Sequence, residues 1–157
     1  MIAETKQIDT EQSTLSTVLE LATREVFELM VGTKLESRTQ ETSEELDITA
    51  MIGLAGSLCG VLSIRCSSEA GRMIAAKMLG ATVVETPSMR DAVAEIVNMV
   101  AGNFKSKLSG KSQCMLSIPT VITGADYQLC SLDAAQIVQL FVVFDKYPVN
   151  VVMELHS

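Results

Sequence analysis

Glu95 and Asn98 stand three residues apart in the run Asp91-Ala92-Val93-Ala94-Glu95-Ile96-Val97-Asn98. On a helix this spacing puts both side chains on one face, a turn apart. A carboxylate there accepts hydrogen bonds and pairs with a cation. An amide both donates and accepts, so it can hold one water in a set direction. The rest of the chain lacks the usual nucleophile–base pair. Its one histidine, His156, is the penultimate residue, where chains commonly fray, and a catalytic base has to be held firmly beside its nucleophile. Cysteines 59, 66, 114 and 130 contain no Cys-x-x-Cys pair of the zinc-binding kind and read as buried small hydrophobes.

The helix that must carry the pair is predicted from Pro87 to Ser109, about 34 Å at 1.5 Å per residue. Thr86 is its expected N-cap, Pro87 suits the first helical position, and Gly110 lies just past the end. At about 100° per residue, Val93, Val97, Val100 and Phe104 fall opposite Glu95, flanked by Met89, Ile96 and Leu108. That side is the expected core face. Asp91, Glu95, Asn98, Gly102 and Ser106 share the expected solvent face. Surface helices carry acids and amides routinely, so solvation alone is the plain reading of Glu95 and Asn98. Three details weigh against it. Asn is a poor residue in mid-helix, because its side chain competes for backbone hydrogen bonds. Gly102 costs about 1 kcal/mol relative to Ala and strips bulk from the same face. Met99 is expected as an exposed, soft apolar group beside the pair. Small Ala92 and Gly102, a Met and an acid–amide pair together suit close approach of another macromolecule.

The remaining elements must fold around that helix. The 157 residues make one domain, 1–157, with 1–10 expected as a flexible N-terminal segment. Apolar spacing from Leu15 to Met30 predicts a first helix over Thr10 to Val31, stopped by Gly32. Lys34 to Glu45 reads as a mobile connection or ragged edge strand. Leu46–Leu54 and Cys59–Cys66 read as a hairpin with Gly56-Ser57 at its centre. Ser67 or Ser68 is expected to cap a second helix from Glu69 to Leu79. Strands follow at Gln113–Val121, interrupted by Pro119, then at Ile137–Phe144 and Val149–Leu155. The expected fold class is α/β, a largely antiparallel sheet packed against long helices.

Composition narrows the function. The net charge is −7 with no basic cluster, which argues against nucleic acid and acidic membranes as partners. Hydrophobic residues make up 48 % of the chain and mean hydropathy is +0.32. No apolar run approaches the roughly 18 residues of a bilayer span. The polar start is unlike a secretory signal, so a cytoplasmic location is expected. The surplus apolar content requires either covered sheet faces or burial in an oligomer. Aromatic residues are only 4 % and no Gly-rich phosphate loop is present, which leaves little support for an unrelated domain with a small-molecule pocket.

At Asp91, Glu95 and Asn98, with Pro119 downstream, the sequence resembles the CheX/CheC/FliY family, which dephosphorylates the response regulator CheY. The run Asn98-Met99-Val100-Ala101-Gly102-Asn103 and the preceding Lys77-Met78-Leu79-Gly80 are also similar to the family. Members of the CheC type carry a second motif on the first helix. Here that helix has Glu20, Glu25 and Glu28 but no Asn, so the resemblance is to the single-site CheX type. It implies Glu95 and Asn98 as the catalytic pair: Asn98 positions the in-line water, and Glu95 docks a lysine of the partner. It further implies Asp91, Met99 and Gly102 as partner-binding residues, with Asp91 capping or orienting the pair. The expected partner is a phosphorylated CheY-like regulator that carries its own Mg²⁺, so no cofactor of the chain's own is expected. The resemblance also implies a homodimer through sheet pairing, which would use the apolar strand Ile137–Phe144. The alternative is a non-catalytic module of the same fold that binds a response regulator or serves in a flagellar switch.

Overall fold

A computed structural model describes residues 2–108 and 113–156, with residues 2–11 as backbone alone. Helix α1 (Ile2–Val26) runs into a single π-helical turn (Phe27–Val31), which Gly32 closes in the left-handed conformation. The helix thus begins at Ile2 rather than Thr10, and its backbone takes in the segment expected as a flexible lead. Strand β1 (Glu36–Arg38) is the ragged edge strand. Next come β2 (Ile48–Gly56), β3 (Cys59–Cys66), α2 (Ser68–Leu79) and α3 (Thr86–Lys107). The chain ends with β4 (Cys114–Leu116), β5 (Thr120–Thr123), β6 (Gln136–Phe144) and β7 (Tyr147–His156).

All strand pairs are antiparallel, in the order β1-β6-β7-β3-β2-β4, with β5 also on β2. Every second residue of the central strands is buried: Ile48, Ala50 and Ile52 on β2, Leu62 and Ile64 on β3, Val151 and Met153 on β7. These meet the helical layer, in which α3 packs between α1 and α2. The helices cover one face of the sheet only. On β6, Val138, Leu140, Val142 and Phe144 enter that same core. Alternate residues of the apolar run Ile137–Phe144 are therefore used within the chain, while Ile137 on the opposite face stays 46 % exposed.

Local chemistry moves several expected boundaries. The β2–β3 turn lies at Ser57-Leu58, not Gly56-Ser57. Gly56, at φ +125°, is instead where the end of β2 meets the strand opposite: a Cβ there would stand 2.1 Å from the Gln113 carbonyl oxygen. Helix α3 begins at Thr86, with Glu85 as N-cap and Pro87 one position further in. Thr86 accepts a hydrogen bond from Arg72 (3.4 Å) in place of capping. The stop expected at Gly110, and Ser109 before it, lie outside the described residues. Cys66 and Cys114 are buried, and burial pushes the Cys66 thiol up to about 12. Cys59, at the start of β3, and Cys130, in a loop, are exposed, contrary to expectation. His156 is a paired strand residue opposite Cys59, so it is not at a loose end.

Helix α2 starts with two caps. Ser67 Oγ accepts from Ala70 N–H (3.1 Å), and the Asp47 carboxylate accepts from Ser68 N–H (2.8 Å) and Ser68 Oγ (2.7 Å). Burial raises the Asp47 pKa, but the Ser68 hydrogen bonds and nearby Arg72 outweigh it, and the net shift is downward. A carboxyl depressed in the folded state contributes stability above its unfolded pKa of about 3.9, lost as pH falls through the folded value. Asp47→Ala is expected to cost about 1 kcal/mol at pH 7. The deficit should begin to shrink below about pH 4, where the unfolded carboxyl protonates, and disappear only once pH has fallen below the depressed folded value. Chemical denaturation across this pH range checks this. At its other end α2 is tied down by Lys77, which pairs with Asp145 (3.2 Å) in the β6–β7 turn and donates to Thr33 (3.0 Å).

Candidate active site

Helix α3 is anchored by one side and displayed by the other. Met89, Val93, Ile96, Val97, Val100 and Phe104 are each no more than 1 % exposed, which holds the helix at a single rotation about its axis. Asp91 and Glu95 are then exposed, and Asn98 and Gly102 half-exposed, along one outward line. Among the described residues, Asp91, Glu95 and Asn98 make no side-chain hydrogen bond or ion pair. Asp91 therefore neither caps nor orients the other two within this chain. A carboxylate and an amide stand free, one turn apart, on the central helix of the layer.

Two expectations for this face change. Ala92 is buried at 5 % exposure, beneath the neighbouring helices, and so is no part of the outward surface. Met99 is half-buried and packs against the core. It offers only an edge to the surface, because α1 and α2 flank α3 closely. Gly102 does lie on the open face. A Cβ added there meets nothing within 4 Å, and its φ is not in the left-handed region, so neither packing nor backbone conformation calls for glycine. Gly102→Ala is expected to raise stability by about 1 kcal/mol. A higher midpoint in thermal unfolding, by about 2–4 °C, checks this. A lower midpoint would contradict the open face.

Asn103 has a role the spacing did not reveal. Its Nδ2 donates to Ala22 O (3.3 Å) and Glu25 Oε2 (2.9 Å) on α1, and Lys107 pairs with Glu25 (2.8 Å). The hydrogen bonds from Lys107 and Asn103 hold the Glu25 carboxyl below its usual range. Asn103 is thus a strap between helices, while Asn98 five positions earlier points outward. About 500° of helical rotation separates the two, which puts them on different sides. The signal was present in that angle, but the acceptors on α1 became visible only once the helices were packed.

The family model described as chemotaxis phosphatase CheX matches residues 48–142, more than half of the chain. The chain belongs to the CheX family. Its α/β fold is that of CheX and CheC-like proteins of known structure. CheX from Desulfovibrio desulfuricans superposes with a TM-score of 0.79 at 19 % identity, over 91 % of this chain and 99 % of that one. A CheX–CheY–BeF3–Mg²⁺ complex from Borrelia burgdorferi gives a TM-score of 0.73 at 18 % identity, over 90 % and 97 %. The FliM middle domain from Helicobacter pylori shares the fold more distantly, with a TM-score of 0.64 at 12 % identity, over 96 % and 92 %. Among curated proteins none matches. Within the CheX family the chain is a chemotaxis protein of phosphatase type, and among the described residues no helix is long and apolar enough to cross a membrane.

Proposed function

We propose that this CheX-family chain hydrolyses the aspartyl phosphate of a CheY-like response regulator, using Glu95 and Asn98. The observation that carries the proposal is the free acid–amide pair on the outward face of α3, fixed by the buried face behind it. Hydrolysis of an acyl phosphate needs a water in line with the phosphorus and stabilisation of charge on the phosphoryl oxygens, which is chiefly a matter of positioning. The Asn98 amide can accept from and donate to that water at once. Glu95, one turn back along the same face, pairs with a lysine of the regulator and sets how far the helix enters. The divalent metal comes with the phosphorylated regulator, and the phosphatase brings no cofactor of its own. Asp91 and Gly102 extend the contact along the outward line, and Met99 adds an apolar edge. The test is phosphate release from a phosphorylated CheY-like regulator with and without this protein. Catalytic acceleration supports the proposal, and an unchanged phosphoryl lifetime rejects it. The fold shared with the FliM middle domain favours a second reading, a binding module without catalysis; in that case the regulator is bound and its phosphoryl lifetime does not shorten.

A homodimer through sheet pairing belongs to the same proposal. Strand β1 pairs only with Phe141, Val142 and Val143 of β6, so the edge of Gln136–Leu140 that faces away from β7 has no strand partner among the described residues. Gln12 donates to one of its carbonyls, that of Ile137 (3.1 Å). Such an edge is a ready template for a strand from a second copy. Light scattering at micromolar concentration is expected to give twice the 16.9 kDa chain mass; a monomer mass rejects the dimer.

A further inference from the structure

We infer that the helix-free face of the sheet carries a second site, for a small zwitterion with a carboxylate and an ammonium group. The alternation that sends Leu62, Ile64, Val151 and Met153 into the core sends Ser63, Arg65, Asn150 and Val152 to the opposite face. Arg65 and Asn150 are register partners on β3 and β7, so their side chains are neighbours. Residues 127–131 cross this face. The Tyr127 hydroxyl donates to Thr49 Oγ1, and Ser131 N–H donates to Glu154. Sheet and crossing segment together line a cavity of about 390 Å³. That far exceeds the roughly 30 Å³ of one water and falls within the range of small-molecule sites.

The polar groups in the cavity are held but not used. Arg65 Nη2 donates to Leu46 O (3.1 Å), and the guanidinium lies 5.1 Å from the Tyr127 ring centroid, so its plane is fixed. Its Nε is buried and has no hydrogen-bond partner among the described residues. Arg65 makes no ion pair among them either. Asn150 is 7 % exposed, and its side-chain amide is likewise without a partner there. A buried donor without an acceptor is destabilising, and a fixed guanidinium edge beside an amide is suited to a carboxylate. Glu41 and Glu154 line the same cavity. They repel a phosphate or a dianion and favour a ligand that also carries a positive group. Val61, Ile137 and Val152 supply apolar wall, which suits an aliphatic body.

The test is an NMR titration of the full chain with three probes of matched body: L-leucine, 4-methylpentanoate without the ammonium, and 3-methylbutylamine without the carboxylate. Leucine is expected to give saturable shifts at the amides of residues 127–131 and at Arg65 Nε–H, and to bind more tightly than either other probe. Arg65→Gln should weaken it by about tenfold or more. Should Arg65→Gln fail to fold, Asn150→Asp serves instead. It pairs with Arg65 inside the cavity and should weaken leucine by a similar factor while the chain stays folded. The inference is overturned if leucine gives no saturable shift, if either single-charge probe binds as tightly, or if the folded variants bind leucine unchanged.

Discussion

Asn98→Ala is expected to slow phosphate release from a phosphorylated CheY-like regulator by about 10²–10³-fold in kcat, while KM changes little. The factor corresponds to about 2.7–4 kcal/mol of transition-state stabilisation. The amide is assigned one task, holding water in line, and that matters only as the phosphorus–oxygen bond is being made. Its removal therefore acts on the transition state and not on docking. Truncation should leave the fold intact, because Asn98 is half-exposed and makes no hydrogen bond within the chain. Glu95→Ala differs in kind. A carboxylate that pairs with a lysine across the interface contributes to binding, so KM should rise by about tenfold or more, with a further loss in kcat from poorer placement of Asn98. Single-turnover and steady-state phosphate release on both variants separate the roles. Equal losses of affinity and rate in Asn98→Ala would contradict water positioning, and an unaltered kcat would remove Asn98 from the mechanism.

The second large effect lies behind the site. Phe104→Ala is expected to cost about 3–5 kcal/mol of folding stability. Phe104 is fully buried on the inward face of α3, and truncation leaves a cavity between that helix and the sheet. Against a typical total of about 5–15 kcal/mol the loss is severe. At about 2–4 °C per kcal/mol, the midpoint of thermal unfolding should drop by about 6–20 °C. Urea denaturation gives the free energy directly, and a cost under about 1 kcal/mol would show that Phe104 does not anchor the helix. The two variants are expected to dissociate: Asn98→Ala should slow turnover in a stable protein, whereas Phe104→Ala should weaken stability without touching the reacting groups.

Much of this was open to reading in the chain itself. The inward and outward faces of α3 follow from the 3.6-residue period, because Val93, Val97, Val100 and Phe104 can be buried together only if Glu95 and Asn98 face away. The helix stop at Gly32 and the Ser67 cap rest on local backbone preferences, which act within a few residues. The resemblance at Asp91, Glu95 and Asn98 rested on short-range spacing of the same kind, and the match to the CheX family agrees with it. What packing decided is different in kind. Ala92 and Met99 are covered because α1 and α2 crowd α3, and a helical period carries no information about which neighbours arrive. Asn103 found its acceptors on α1, some eighty positions away in the chain. Whether the apolar run of β6 would serve a core or a second subunit depended on strand order, and local pattern is blind to order. The cavity beside Arg65 and Asn150 is the clearest case. Its two polar groups come from strands far apart in sequence and become neighbours only through register, so tertiary pairing alone could bring them together.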